Sequence, residues 1–218
     1  MAHEGGVGLI LLAAGKASRF GGNKMSASLA GRPLLSWAME ACGESGIARK
    51  VLVVREDSAL DPPKGWQVVV NTRAEEGQST SIRAGVDALR KCSRIVIALG
   101  DMPFVTAAHL TRLAEGKGTV FTRYPDGRRG CPAAFPPETY GALMSITGDK
   151  GAASLDLPGA QAIAPTDGGP GRMLADIDTA ADLARLSPAA EESLDPPEAP
   201  HGPVAMAAVM PHPRFERE

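Results

Sequence analysis

Residues 8–24 read GLILLAAGKASRFGGNK, an unbroken apolar run that opens into a loop containing three glycines, Arg19 and Lys24. Apolar residues without polar alternation are typical of a strand buried on both faces of a parallel sheet. Glycines let the backbone approach a ligand with its N–H groups, and the two cations add fixed positive charge. The stretch therefore predicts a first strand that leads into a phosphate-binding loop. The alternative is a solvated basic loop without a ligand.

The spacing within this loop differs from two common phosphate motifs. Lys24 is followed by Met25 rather than Ser or Thr, and the glycines do not follow the pattern G-x-G-x-x-G. The P-loop and the dinucleotide-binding interpretations are therefore weak.

Other apolar runs alternate with helical patterns along the chain. The further strand candidates, also expected to be buried, are 50–54, 68–70, 94–99 and 119–121. The helix candidates are 33–42, 79–91, 106–115 with Thr106 as its cap, and 180–186 with Thr179 as its cap. Strand–helix alternation predicts an α/β fold with three layers and a mostly parallel sheet. In such sheets ligands bind outside the carboxyl ends of the strands.

Composition narrows the class of protein. The chain has 218 residues and a net charge of −2, which argues against general nucleic-acid binding. Its three cysteines show no zinc or disulfide spacing, and the run 7–14 is too short to span a bilayer. We therefore expect a soluble, cytoplasmic protein that does not bind a membrane. His109 is expected on a helix surface.

The chain divides into two regions by composition. Residues 1–186 are expected to form one domain. Residues 187–218, rich in Pro and Ala, are expected to form a disordered tail. The apolar segment 204–210 within that tail is a candidate docking element.

Two acidic segments are the remaining candidates for functional residues. Asp101 leaves a strand in 99–103, LGDMP, and Asp176 and Asp178 alternate in 176–179, DIDT. Each has a plain structural alternative, since Asp101 suits a turn that caps the next helix, and Asp178 or Thr179 suits the cap of the last helix. Carboxylates arriving from separate elements are also the way magnesium–nucleotide sites are built.

These motifs resemble the MobA-like nucleotidyltransferases, over roughly residues 7–186. Within that family the resemblance is strongest to the molybdenum cofactor cytidylyltransferases of the MocA type. The features that carry it are LAAG at 12–15, Arg19, Lys24, GRPLL at 31–35, Asn71 with Gly77 and Ser81, LGDMP at 99–103, Gly130-x-Pro132, GDKGA at 148–152 and DIDT at 176–179.

The resemblance implies a Rossmann-like sheet and the condensation of an NTP with a phosphorylated acceptor, releasing pyrophosphate. It implies CTP as the nucleotide, molybdopterin or its molybdenum form as the acceptor, and Mg²⁺ as the cofactor. Lys24, Arg19 and Asp101 would be catalytic, and Asp101 and Asp178 would hold the metal. The implied nucleotide-binding residues are Leu12, Ala13, Ala14, Gly15, Arg19, Lys24, Asn71, Ser79 and Ser81. The implied acceptor-binding residues are Arg128, Arg129 and Asp149.

One departure and several alternatives stand beside this hypothesis. Cys131 occupies a position where MocA-type sequences commonly have His, and its thiol is either reactive or buried and inert. The acceptor alternatives are those of a molybdopterin guanylyltransferase, a sugar-phosphate nucleotidyltransferase or a methylerythritol-phosphate cytidylyltransferase. A guanylyltransferase more typically has Gly in the place of Ala14. A non-catalytic cofactor carrier is the alternative outside the enzymes, and docking to a molybdoenzyme or its chaperone is conceivable in either case.

Overall fold

The computed structural model describes residues 5–15, 20–58, 62–166 and 170–194. Along the chain the strands are β1 (Gly5–Leu12), β2 (Ser28–Leu29), β3 (Arg32–Pro33), β4 (Arg49–Arg55), β5 (Trp66–Asn71), β6 (Cys92–Leu99), β7 (Val120–Arg123), β8 (Arg129–Phe135) and β9 (Gln161–Ile163). A seven-stranded sheet has the order β5-β4-β1-β6-β8-β7-β9, and β2 pairs with β3 separately. The first strand lies inside the large sheet, between β4 and β6.

Helices cover both faces of the sheet. They are α1 (Leu34–Glu44), α2 (Gln78–Ala88), α3 (Ala107–Glu115), α4 (Tyr140–Ser145), α5 (Pro170–Met173) and α6 (Ala180–Leu194). Leu9 and Leu11 of β1 pack in one core with α1 and α3, whereas Ile10 and Leu12 pack in another with α2 and α4. This alternation confirms the expected three-layer arrangement and the burial of β1 on both faces.

The pairing of the strands is mostly parallel. β1 lies parallel to β4 and β6, and β5 lies parallel to β4. β8 is the exception, because it runs antiparallel to both of its neighbours, β6 and β7. Neither β8 nor β9 was among the strands expected from the sequence.

Two expectations about burial are wrong. Val68 and Val70 of β5 are 42% and 51% exposed, because β5 is an edge strand and α2 covers only its other face. His109 is fully buried rather than on a helix surface. Its Nε2 lies 2.8 Å from Oγ1 of Thr122 on β7, so a polar partner inside the protein compensates its burial.

The last helix runs beyond its expected end. Residue 187 was expected to begin a disordered tail, yet α6 continues to Leu194 with Pro188 inside it. A proline in a helix interior costs about 3 kcal/mol. Leu186 and Ala190 are buried against Leu34 and Trp37 of α1, and this contact offsets that cost. Residues 195–218, with the apolar segment 204–210, lie outside the described residues.

The described helices also bear on membrane association. Across the described ranges, each helix is too short or too polar to traverse a bilayer.

Gly85 lies where α2 packs closely against β1. A Cβ atom added at Gly85 would lie 2.6 Å from Cγ2 of the buried Ile10. We expect Gly85→Ala to lower the free energy of unfolding by about 1–3 kcal/mol, because the packed core must shift to admit a methyl group. Urea denaturation followed by circular dichroism measures this change.

Gly43 on α1 provides the matched control, because a Cβ there would have no neighbour within 4 Å. Gly43→Ala should leave stability unchanged or raise it by up to about 1 kcal/mol, through helix propensity. Equal destabilisation by the two changes would contradict the packing argument.

Candidate functional site

The site lies where β1 and β6 end side by side. The Gly100 N–H donates to the Leu12 carbonyl at 2.9 Å, which ties the two strand ends together. A Cβ atom on Gly100 would lie 2.8 Å from Leu35 Cδ1 and 3.1 Å from the Leu12 oxygen, so a side chain here would push the neighbouring groups apart. The next residue, Asp101, is thereby placed at the carboxyl edge of the sheet, where α/β folds bind ligands.

A cleft of about 380 Å³ opens at this edge. Its lining residues come from the ends of β1 and β6, the turn at Lys24, the start of α2 and two later loops. They are Leu12, Ala14, Gly15, Lys24, Met25, Ala74, Gly77, Gln78, Ser81, Leu99, Asp101, Asp149 and Asp178.

Lys24 is the charged centre of the cleft. Its Nζ donates to Asp101 Oδ2 at 2.8 Å and to Asp178 Oδ1 at 3.2 Å. Its side chain is only 7% exposed. Burial alone would lower the pKa of Lys24, but the charges and hydrogen bonds of Asp101 and Asp178 raise it overall. The ammonium group therefore stays protonated at neutral pH.

The two aspartates are not the helix caps that the plainer interpretations proposed. Thr106 caps α3, accepting a hydrogen bond from the His109 N–H at 3.2 Å, so Asp101 has no capping role there. At α6 the Thr179 hydroxyl accepts from the Asp182 N–H at 3.1 Å, which makes Thr179 the cap. Both caps agree with the sequence prediction.

A backbone hydrogen bond brings the second acidic segment to the cleft. The Ile177 N–H donates to the Asp101 carbonyl at 3.0 Å, and Asp178 follows directly. Partial burial and the nearby charges of Asp178 and Asp101 raise the pKa of Asp176. Negative charge thus accumulates around Lys24, a setting that suits a cation. Within the described ranges, no three or more His, Cys, Asp or Glu side chains are grouped as a metal site.

The predicted nucleotide-binding residues have different positions. Leu12, Ala14, Gly15 and Ser81 line the cleft together with Lys24. Ala13 is buried on the opposite side, in the core under α1. Arg19 lies outside the described residues.

Two of those residues support the cleft wall. The Asn71 amide donates to Thr80 Oγ1 at 2.8 Å and to Ser81 Oγ at 2.9 Å, so it fixes the first turn of α2. Ser79 is fully buried, and its hydroxyl has no hydrogen-bond partner among the described residues. Its N–H donates to the Gly148 carbonyl at 3.1 Å. These contacts hold the start of α2 and the loop 148–152 together.

The predicted acceptor-binding residues are separated from one another. Asp149 lines the cleft, whereas Arg128 and Arg129 do not. Arg128 is exposed, pairs with Asp126 and lies over the Tyr124 ring at 5.6 Å. Arg129 donates to the Leu155 carbonyl at 3.0 Å. The two arginines therefore belong to a surface beside the cleft.

Several lining residues were not singled out from the sequence. Met25, Ala74 and Gln78 carry no charge and give no motif signal, and Leu99 was named only as the first residue of the LGDMP motif. Gly77 belonged only to a family pattern, yet its backbone has φ +110°, a value that favours glycine.

Cys131 lies next to the charged centre. The Tyr124 hydroxyl donates to its carbonyl at 2.8 Å. Burial, with a smaller contribution from the Asp101 charge, raises the pKa of the Cys131 thiol to about 12. This value favours the inert alternative for Cys131 over the reactive one.

Comparisons with known proteins place the chain in a family. The pattern described as "MobA-like NTP transferase domain" matches residues 9–162. Purine catabolism protein PucB of Bacillus subtilis is 29% identical over 160 residues, covering 67% of this chain and 78% of PucB. Bifunctional protein GlmU of Agrobacterium fabrum is 31% identical over 114 residues, covering 49% of this chain and 25% of GlmU. The chain thus matches about a quarter of the length of that GlmU protein.

Solved structures share the fold. Rv0371c of Mycobacterium tuberculosis superposes with a TM-score of 0.71 at 26% identity, covering 84% of this chain and 98% of Rv0371c. Molybdopterin-guanine dinucleotide biosynthesis protein A of Archaeoglobus fulgidus superposes with a TM-score of 0.65 at 17% identity, covering 84% and 98%, which shows the fold alone. With the matched pattern spanning most of the described sheet, the chain belongs to the MobA-like family of NTP transferases.

Proposed function

We propose that this protein is a magnesium-dependent nucleotidyltransferase that joins CTP to the phosphate of molybdopterin or its molybdenum form and releases pyrophosphate. The observation that carries the proposal is the position of Lys24 between Asp101 and Asp178, in a cleft at the carboxyl edge of the sheet. In this arrangement Lys24 would bind phosphate oxygens, and the carboxylates of Asp101 and Asp178 would bind a metal ion.

The carboxylates fit a magnesium ion. Mg²⁺ is usually held by one or two carboxylates, with waters and substrate phosphates completing its six ligands. Asp101 and Asp178 already converge on one cation, Lys24, from separate elements. In support, the relative Rv0371c was crystallised in complex with manganese, at 25% identity and a TM-score of 0.69. When bound, the ion would supply charge neutralisation to the reacting phosphates.

The side chains of the cleft would bring two anions together, the triphosphate of the NTP and the phosphate of the acceptor. Lys24 would bind the triphosphate, joined by Arg19, and would offset its repulsion from the acceptor phosphate. No general base is required, because an acceptor phosphate is already ionised. The described lining residues include no histidine, and His109 is buried against Thr122.

The residue at position 14 favours a pyrimidine. Ala14 lines the cleft while its side chain packs in the core beside α2, and an alanine leaves less room there than a glycine would. Leu12, Gly15 and Ser81 line the same region and would contact the nucleoside. We therefore favour CTP over GTP.

The acceptor would lie toward Arg128 and Arg129, whose guanidinium groups suit a phosphorylated molecule. Molybdopterin follows from the MocA-type motifs, and docking to a molybdoenzyme or its chaperone would follow from the same role. Among the alternatives that the sequence leaves open, a sugar phosphate is the second candidate acceptor. A non-catalytic cofactor carrier is disfavoured, because carrying a cofactor does not require Lys24, Asp101 and Asp178 to be grouped in this way.

The proposal is tested by measuring pyrophosphate release with each of the four NTPs, Mg²⁺ and molybdopterin. We expect release with CTP. Lys24→Ala should lower kcat/KM by about three orders of magnitude, as loss of a cationic clamp does in related phosphoryl-transfer sites. Release with GTP alone would overturn the choice of base, and release only with a sugar phosphate would overturn the acceptor.

Lys117→Ala is the matched control for the charge change, because Lys117 is exposed and lies outside the cleft. It should keep the activity of the unchanged protein. Similar losses in both variants would contradict a specific role for Lys24.

Ala14→Gly tests the choice of base. Removing the methyl group should raise the preference for GTP relative to CTP by about tenfold, because one methylene-sized group in a pocket is worth at least that much. The ratio of kcat/KM values for the two nucleotides measures it. Ala13→Gly, which removes a methyl group facing the core, should leave the ratio unchanged. An unchanged ratio in Ala14→Gly would contradict contact with the base.

Cys131 should take no covalent part in the reaction. Because the pKa of its thiol is raised to about 12, little reactive thiolate is present at pH 8. The native enzyme should therefore retain its pyrophosphate release after treatment with iodoacetamide at pH 8. Rapid inactivation, with the label found on Cys131 by mass spectrometry, would contradict this expectation.

A further inference from the structure

Asp149 is a carboxylate whose place in the cleft the phosphate chemistry does not explain. It lines the same cleft as Lys24, Asp101 and Asp178, and its side chain is exposed. Among the described residues no Lys or Arg forms an ion pair with it. A further negative group beside Asp101 and Asp178 would repel a triphosphate and oppose its binding, unless that group contacts another part of the ligand.

The backbone holds Asp149 firmly against the start of α2. A Cβ atom on Gly77 would lie 2.3 Å from the Gly148 carbonyl carbon and 2.7 Å from the Asp149 nitrogen. The Ser79 N–H donates to the Gly148 carbonyl at 3.1 Å. Only a glycine at position 77 allows this contact, so the loop carrying Asp149 is packed onto α2.

A second contact fixes the other end of the same loop. A Cβ atom on Gly151 would lie 2.7 Å from Gln78 Oε1, which shows that the Gln78 side chain lies against the Gly151 backbone. Gln78 also lines the cleft. Asp149 therefore belongs to one continuous wall with Gly77, Gln78 and Ser81.

An ionised carboxylate binds a cation or accepts hydrogen bonds. Because Asp149, unlike Asp101 and Asp178, does not contact Lys24, we expect its ligand to present hydrogen-bond donors. The phosphates of a nucleotide present none near neutral pH. Its ribose hydroxyl groups and the exocyclic amino group of its base do. We propose that Asp149 is a specificity-determining residue that accepts a hydrogen bond from the nucleoside part of the NTP, rather than from the acceptor. This inference rests on the proposed nucleotidyltransferase function.

The arrangement of the neighbouring residues supports this assignment. Asp149 shares its wall with the residues proposed to face the nucleoside, whereas Arg128 and Arg129 lie outside the cleft lining. Arg129 reaches across to Leu155 and lies 5.0 Å from the Phe121 ring centre. The charge and position of Asp149 thus separate it from the arginines with which the sequence grouped it.

Equilibrium binding in the absence of acceptor tests the proposal, by calorimetry with Mg²⁺ and CTP, UTP, dCTP or inorganic triphosphate. Asp149→Ala should weaken CTP binding by about tenfold to a hundredfold, the usual value of a hydrogen bond to a charged group. The same change should slightly strengthen the binding of inorganic triphosphate, because it removes a repelling charge. These opposite signs are not expected from a general loss of structure.

The analogues identify the donor. Loss of the preference for CTP over UTP assigns the contact to the base amino group, and loss of the preference for CTP over dCTP assigns it to the ribose 2′-hydroxyl. If the unchanged protein binds GTP best, ITP and dGTP replace UTP and dCTP. Asp87→Asn, at the far end of α2, is the control and should change none of these affinities.

Two results would overturn the assignment. If Asp149→Ala keeps every nucleotide affinity while the KM for molybdopterin rises, Asp149 contacts the acceptor. If neither quantity changes, it contacts no substrate. Failure of the unchanged protein to bind any NTP would overturn the proposed function together with this inference.

Discussion

The ammonium group of Lys24, held between the carboxylates of Asp101 and Asp178, is the interaction on which the candidate site depends. The partners lie 77 and 154 residues away from Lys24 along the chain. Three segments that are remote in sequence therefore meet at one nitrogen atom. A charge buried to 7% exposure is tolerated only when it is paired, so loss of either partner would leave the lysine poorly compensated.

The fold serves this interaction by aligning strand ends. β1 and β6 are parallel neighbours, and Gly100 lets their ends approach until a backbone hydrogen bond forms. The antiparallel strand β8 then closes the other side of β6. A cleft lined by both charged and apolar side chains results at this edge of the sheet.

The sequence predicted the parts of the fold that depend on local pattern. The buried first strand, the α/β layering and the caps Thr106 and Thr179 were all foreseen, because apolar runs and capping residues act over a few positions. Exposure of Val68 was not foreseen, since it depends on which strand lies at the edge of the sheet. Burial of His109 was not foreseen, since it depends on which face of α3 packs against the sheet. The extension of α6 past Pro188 likewise depends on tertiary packing.

The same distinction applies to the site. Lys24, Asp101 and Asp178 carry charge and follow predicted strands or precede a predicted helix, so sequence reasoning could select them. Gln78 could not be selected, because its place in the cleft comes from a loop 70 residues later that packs onto α2. Position along the chain also failed to separate Asp149 from Arg128, because only the folded loop shows that they lie on different surfaces.

Because the ribosome adds residues in chain order, Asp178 is synthesised after both Lys24 and Asp101. Asp178 lies 77 residues after Asp101, the difference between their separations of 154 and 77 from Lys24. At a synthesis rate of about 5–20 residues per second, this interval lasts roughly 4–15 s. During that time a nascent chain can hold the lysine and its first carboxylate, but not the second. The charged centre is therefore completed only after every strand of the described sheet has been made.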